Sequence, residues 1–117
     1  MIDRHVVLQA LVAFTGSIDE IRRLLGCLDP DFEGAPITMN KEDIRKALER
    51  YLKGDLSLHD VEDWANLVEG REDIVFAKRD EELLSEIIYE LANPDLTEQL
   101  SSKRAKEIIN LLTNATE

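Results

Sequence analysis

The chain has 117 residues, of which 44% are hydrophobic and 33% charged, and 25 acidic residues against 14 basic ones give a formal net charge of -11. This balance is typical of one folded domain over residues 1–117 and excludes an intrinsically disordered chain. The net charge argues against direct binding to nucleic acid or to an anionic membrane, because phosphate groups would be repelled.

The first third of the chain is predicted to hold two helices and a loop. Apolar residues within 3–14 follow a helical stripe, but they also alternate as in a buried strand, so a short N-terminal strand is the alternative. Ser17 opens a capping-box pattern for the second helix, and the Asp-Pro pair at 29–30 is expected to end it. Residues 29–39 contain two prolines and one glycine, which predicts the longest loop.

The middle of the chain predicts two helices with clear starts and stops. Asn40 is expected to cap a helix that runs to about Lys53, with Gly54 as its C-terminal stop. Ser57, with an acid three residues later, is expected to cap the next helix, which Gly70 ends.

The last third of the chain is predicted to hold an irregular segment followed by two helices. Residues 71–79 have no clear period, and the apolar clump at 74–76 is either a linker pinned to the core or a short strand. A strong helix is expected from Asp80 to an Asn-Pro pair at 93–94, and a last helix from about residues 101–102.

Together these elements predict an all-α fold, an irregular bundle of five to six helices. The final residues, 113–117, are expected to fray. The N-terminus carries charged residues at once and no long apolar run follows, so neither a signal peptide nor a membrane span is expected, and a cytoplasmic location is predicted.

The charge is concentrated in residues 55–98, which contain 14 acidic and three basic residues and therefore carry the whole formal charge of -11. Residues 1–53 contain nine acidic and eight basic residues. An acidic patch focuses the electric field and can raise the encounter rate with a cationic protein by about ten- to a thousand-fold. The alternative is a set of solvated helix faces, with acids at N-terminal turns that suit the helix dipole.

Residues with catalytic or metal-binding side chains form no recognisable constellation. His59 and Asp63 can share a helix face, but such a pair usually marks the start of a surface helix. Cys27, the only cysteine, excludes an internal disulfide and a multi-cysteine zinc site, and we expect it to be a small buried hydrophobe. The five glycines form no phosphate-binding loop. We therefore predict no catalytic residue, no metal, no cofactor and no enzymatic activity.

Four other residues are expected to serve the architecture. Trp64, the only tryptophan, is predicted to pack in the core, although partial exposure among acids would make it an interface anchor. Arg71 is expected to hold a helix end or an acid in place. Asn66 and Asn93 are expected to satisfy backbone groups at turns.

Residues 50–74 read RYLKGDLSLHDVEDWANLVEGREDI, and residues 91–94 read LANP. They combine a Tyr-Leu-x-Gly-x-Leu-Ser step, a Trp-Ala-Asn helix, a Glu-x-Arg-x-Asp-Ile turn and a Leu-Ala-Asn-Pro stop. Over residues 40–112 the chain resembles small helical bacterial proteins, a number of which resemble immunity proteins that accompany secreted toxins, including those of contact-dependent growth inhibition. The resemblance implies a helical fold and a cognate toxin, and it brings no catalytic or toxin-binding residue.

We therefore predict a non-enzymatic immunity protein that binds a basic toxin through an acidic surface. A nuclease fits best, since nucleases tend to be basic around the active site. The alternatives are an acidic regulatory or adaptor module with weak, exchangeable binding, and a small carboxylate-dependent enzyme or metal-dependent hydrolase. The candidate partner-binding residues, chosen by charge density and predicted exposure, are Asp60, Asp63, Glu69, Glu72, Asp73, Glu82 and Glu86.

Overall fold

The computed structural model describes residues 3–28 and 34–114. Within these ranges the chain is predominantly helical, with six α-helices and a small two-stranded parallel sheet. A 3-10 turn at Lys78–Asp80 precedes the fifth helix. In chain order the elements are α1 (Arg4–Ala13), α2 (Ile18–Leu25), β1 (Ile37–Met39), α3 (Lys41–Leu52), α4 (Leu58–Val68), β2 (Ile74–Phe76), α5 (Glu81–Ala92) and α6 (Ser102–Asn114).

The helix starts follow the capping residues of the sequence. The Ser17 hydroxyl accepts a hydrogen bond from the third backbone N–H of α2. Asn40 caps α3 and Ser57 caps α4, and both form complete capping boxes with the acid three residues later. Gly54 and Gly70, with φ of +86° and +83°, reverse the chain after these helices in a conformation that favours glycine. The predicted starts and stops of α3 and α4 are therefore confirmed.

The core is centred on Trp64, which is 0% exposed. Its indole N–H donates to the carbonyl of Leu11 at 2.6 Å, so burial leaves no unpaired donor. Its ring stacks on Phe14 with the centroids 5.5 Å apart. The Arg50 guanidinium lies over the Phe14 ring, 5.3 Å from its centroid, and donates to the Phe14 carbonyl at 2.7 Å. The prediction of a core tryptophan is confirmed.

The two strands correct the all-α prediction. Residues 4–13 form α1, so the alternative of an N-terminal strand is wrong. The sheet lies instead at β1, inside the predicted loop, and at β2, where a strand was one of two readings. The strands pair in parallel, with Ile37 opposite Ile74 and Met39 opposite Phe76. Three-residue strands carry too little alternation for the sequence to predict their pairing.

The chain leaves α2 earlier than expected. This helix ends at Leu25, and the predicted stop at residues 29–30 lies outside the described residues. Cys27 consequently lies in the turn after the helix rather than on its apolar face, and it is exposed, so the expectation of a buried thiol is wrong. At the other end α6 continues to Asn114, two residues into the segment that was predicted to fray, and residues 115–117 are outside the described residues.

No helix in the described ranges is both long and apolar enough to cross a lipid bilayer.

Candidate protein-binding groove

A cavity of about 370 Å³ opens between the C-terminal end of α4, the strand β2 and one face of α5. Apolar side chains form one part of its lining, namely Val68, Ile74, Phe76 and Ile88. Two carboxylates and an aromatic ring form another part, namely Glu69, Glu86 and Tyr89, and Arg71, whose charge is paired with Asp73, also lines the cavity. We call this feature the α4–β2–α5 groove. Its combination of apolar and acidic lining can take an apolar side chain flanked by cationic ones.

The face of α5 beside the groove is set by helical spacing. Glu82, Ser85, Glu86 and Tyr89 recur at intervals of three and four residues, so they share one side of the helix, and we call them the outer α5 face. All four are exposed, and Tyr89 retains 46% of its accessible surface. A shallower depression shares Ser85 and Glu86 with the groove, and Glu81 and Glu82 line it together with the cationic Lys78 and Arg79. Glu82 and Glu86 therefore belong to one continuous surface.

Glu69 reaches this surface from α4. It follows the last residue of the helix and is exposed. Both of its carboxylate oxygens lie 3.2 Å from the Asn93 side-chain nitrogen, which also donates to the Tyr89 carbonyl at 2.9 Å. Asn93 thus holds Glu69 beside the end of α5. The expected backbone role of Asn93 at its turn is confirmed. Asn66 lies within α4 and donates to the Glu62 carbonyl, so its predicted place at a turn is wrong.

Asp73 has a different role from the one predicted. It is only 3% exposed, and its carboxylate accepts two hydrogen bonds from Arg71, at 2.8 and 2.9 Å, and one from Arg4 at 2.5 Å. Burial alone would raise the pKa of Asp73, but the hydrogen bonds and charge of Arg71, with Arg4, outweigh it and hold the pKa below its ordinary value. The expectation of an exposed Asp73 is therefore wrong, and this residue leaves the candidate set. Arg71 does hold an acid in place, as predicted.

The remaining candidates lie outside the groove lining. Asp60 is half-buried, and its carboxylate accepts a hydrogen bond from the Ser57 N–H at 2.9 Å, so it caps the start of α4. The Asp63 carboxylate points toward α2, 3.8 Å from Arg22. Glu72 is exposed in the turn before β2. The structure therefore brings together Glu69, Glu82 and Glu86, and it separates them from Asp60 and Asp63.

Sequence reasoning missed Tyr89 and the apolar lining of the groove. Tyr89 lies three residues after Glu86 and seven after Glu82, on the side of α5 opposite its buried residues, so helical spacing could have placed it on the acidic face. The involvement of β2 could not be found in this way, because a short apolar clump does not reveal which helix it packs beside.

Another acid of α5 is bound to the protein itself. The half-buried Glu90 accepts hydrogen bonds from Arg104 of α6 at 2.7 and 2.8 Å. These hydrogen bonds and the charge of Glu90 raise the pKa of Arg104 above its ordinary value. Glu90 therefore links α5 to α6 and contributes little free charge to the surface.

The structure also places the residues considered for metal binding. His59 is exposed at the start of α4, and Asp63 is directed to Arg22. Over residues 3–28 and 34–114, no three His, Cys, Asp or Glu side chains lie together in a way that could hold a metal ion.

No protein-family model, curated protein or solved structure matched the chain. The resemblance to immunity proteins therefore stays a prediction from its motifs. Those motifs occupy architectural positions: the Gly-x-Leu-Ser step turns the chain from α3 to α4, the Trp-Ala-Asn helix supplies Trp64, and the Leu-Ala-Asn-Pro stop ends α5. The fourth motif, the Glu-x-Arg-x-Asp-Ile turn, contributes Glu69, Arg71 and Ile74 to the lining of the groove.

Proposed function

We propose that this protein is a cytoplasmic, non-enzymatic immunity protein that binds and neutralises a cognate basic toxin. The observation that carries the proposal is the α4–β2–α5 groove, where Glu69 and Glu86 flank an apolar cavity and Tyr89 is nearly half exposed. Interfaces commonly combine an apolar or aromatic centre with a polar rim, and tyrosine is one of the residues enriched at their centres.

The two parts of this surface serve different steps of binding. The exposed carboxylates attract a cationic protein over distance and speed the encounter, especially at low ionic strength. The apolar cavity and Tyr89 slow dissociation, because most affinity differences arise from the dissociation rate. Fast capture and slow release are what neutralisation of a toxin needs, since one unbound toxin turns over many substrates.

A nuclease is the toxin class that suits this surface best. An enzyme that binds a polyanion carries basic residues where the phosphates lie. A protein with exposed glutamates can cover such a region, either by imitating the charge of the nucleic acid or by blocking access beside it. The resemblance over residues 40–112 supports a toxin as the partner, whereas the nuclease class follows from the charge alone.

A regulatory or adaptor module is the second candidate. The observation in its favour is the size of the groove, because about 370 Å³ accommodates only a few side chains and would suit a weak, exchangeable ligand. Such a module would bind a basic partner without inhibiting any activity of that partner.

The test is to purify the tagged protein from its native host, identify the bound partner by mass and assay the partner's activity. The proposal expects a basic protein whose nuclease activity falls when the purified protein is added in equal amount. A basic partner with no inhibited activity would favour the adaptor, and a partner without a basic surface would contradict both candidates.

Two charge reversals connect this test to the groove. Glu86→Lys should weaken both binding and inhibition. Asp19→Lys is the control, because it makes the same change of charge at a side chain that is 95% exposed on α2 and outside the groove lining, where it removes only an exposed ion pair with Arg22. Equal losses in the two variants would show that net charge, rather than the groove, determines binding.

A further inference from the structure

The strand β2 has one paired edge and one open edge. Its ladder to β1 uses alternate residues: the Asp73 carbonyl accepts from the Ile37 N–H at 2.9 Å, and the Ala77 N–H donates to the Met39 carbonyl at 2.8 Å. In a parallel pair with this register, the N–H and carbonyl groups of Val75 make the ladder hydrogen bonds that lie between these two. The N–H and carbonyl groups of Ile74 and Phe76 therefore point away from β1, and within the described residues none of them has a hydrogen-bond partner.

This open edge borders the α4–β2–α5 groove, because Ile74 and Phe76 both line the cavity. Ile74 is only 7% exposed, so its unpaired backbone groups lie at a nearly buried position. Backbone groups in such positions are usually paired, and leaving them unpaired costs about as much free energy as a lost hydrogen bond. An open strand edge is also a template for another extended chain.

We propose that the groove binds an extended, basic segment of the partner, which adds to the open edge of β2 as a third strand. The backbone of that segment would pair with Ile74 and Phe76, as in other cases of strand addition. Side chains of a strand alternate between two faces, so an apolar residue can enter the cavity while a neighbouring lysine or arginine approaches Glu69 or Glu86. This mode of binding rests on the proposed function, because it names the part of the basic partner that the groove recognises.

Charge selects this occupant over a second copy of the chain. Pairing β2 with β2 would bring two proteins of net charge -11 together and place Glu69 and Glu86 of both copies near one another. Like charges at close range oppose such a dimer. A cationic segment instead gains from the same carboxylates.

The probe is a short synthetic peptide that alternates lysine and valine, blocked at both ends, and the control peptide replaces each lysine by glutamate. Amide hydrogen exchange of the full chain is followed by NMR. We expect the lysine peptide to bind and to slow exchange at the Ile74 and Phe76 N–H groups, while the glutamate peptide leaves them unchanged. Exchange at the Val75 N–H, already in the ladder, should change less.

A variant pair isolates the backbone contribution. Phe76→Pro and Phe76→Ala both remove the ring, but only proline also removes the outward N–H, and the ladder to β1 does not use that group. We expect the proline variant to bind the lysine peptide about tenfold more weakly than the alanine variant, as the loss of one hydrogen bond predicts. Circular dichroism of both variants checks that the fold is kept, and the exchange measurement on the unmodified chain needs no variant.

Strand addition would be overturned if the lysine peptide did not bind, or if it bound without slowing exchange at Ile74 and Phe76. It would also be overturned if exchange at these two residues slowed in the protein alone as its concentration rises, because that would indicate pairing with a second copy. These outcomes are separable from failure of the proposed function. A basic toxin bound through Glu86 with no effect at β2 would leave the immunity proposal intact. If the lysine peptide paired with β2 but the host contained no basic partner, strand addition would stand and the immunity proposal would fail.

Discussion

The acidic part of the chain contains two regions whose carboxylates differ in what they contact. In the first region, Asp73 is bound by Arg4 and by its near neighbour Arg71, Glu90 is bound by Arg104, and both carboxylates are largely buried. In the second, Glu69, Glu82 and Glu86 lie exposed around the groove, and Lys78 and Arg79 line the same depression as Glu82 and Glu86. Residues of one chemical type, within one window of sequence, therefore divide between holding the fold and facing a partner.

Net charge alone does not identify a binding surface. Asp73 and Glu72 are neighbours in sequence, yet the first is buried and the second exposed. The difference comes from β2, because Asp73 directly precedes a strand whose Ile74 packs into the core. Removing a carboxylate from the first region should therefore affect stability, whereas removing one from the second should affect binding.

Asp73→Ala should have the largest effect on stability. It leaves Arg4 and Arg71 partly buried without their common partner, and breaking a buried ion pair from one side typically costs about 3 kcal/mol or more. Urea unfolding at neutral pH measures the loss. Glu86→Ala is the control and should change the free energy of unfolding by less than about 0.5 kcal/mol. Similar losses in the two variants would contradict the division into two regions.

Acid should remove the same Asp73 contribution without a mutation. Because the folded-state pKa of Asp73 is held below its ordinary value of 3.8, this stabilisation is fully present above that pH and is lost as the pH falls through the lower folded-state value. The free energy of unfolding of the unmodified chain should therefore approach that of Asp73→Asn below pH 3.8. A difference between the two proteins that stays constant in this range would refute the assigned ion pairs.

Glu90→Gln should have a smaller effect, about 1.5 kcal/mol. The substitution keeps the shape of the side chain but weakens the two hydrogen bonds from Arg104, which are charge-assisted and only partly exposed. Thermal unfolding and hydrogen exchange of α6 report the change. If α6 keeps its full protection in this variant, the α5–α6 link is not made by Glu90.

Glu86→Lys should have the smallest effect on stability and should act in the opposite direction. A lysine four residues after Glu82 forms a favourable helical pair and replaces a like-charge one, which adds about 0.3 kcal/mol. Calorimetry should show a slightly raised melting temperature. A marked loss of stability would mean that Glu86 has a structural role that its exposure does not indicate.

Much of the fold could be predicted because its signals are local. The caps Asn40 and Ser57 and the stops at Gly54 and Gly70 act within a few residues, and the structure confirms each of them. The sheet could not be predicted, since β1 and β2 are three residues each and pair across two intervening helices.

The candidate site was predictable only in part. Glu82 and Glu86 share a helix face by spacing alone, whereas the burial of Asp73 and the position of Glu69 beside Asn93 depend on contacts between distant segments. Cys27 is exposed because α2 ends early, at Leu25, whereas the apolar residues of this segment predict a longer helix. Predictions failed where tertiary packing, rather than local spacing, decided the environment of a side chain.

The association rate of the captured basic partner, measured against ionic strength, shows whether the exposed glutamates of the groove attract that partner. We expect a rate that falls steeply with added salt for the unmodified chain and for Asp19→Lys. For Glu86→Lys and Glu69→Lys, the rate at low salt should be several-fold lower and its dependence on salt weaker. Equal rates for all four proteins, unchanged by salt, would contradict the account.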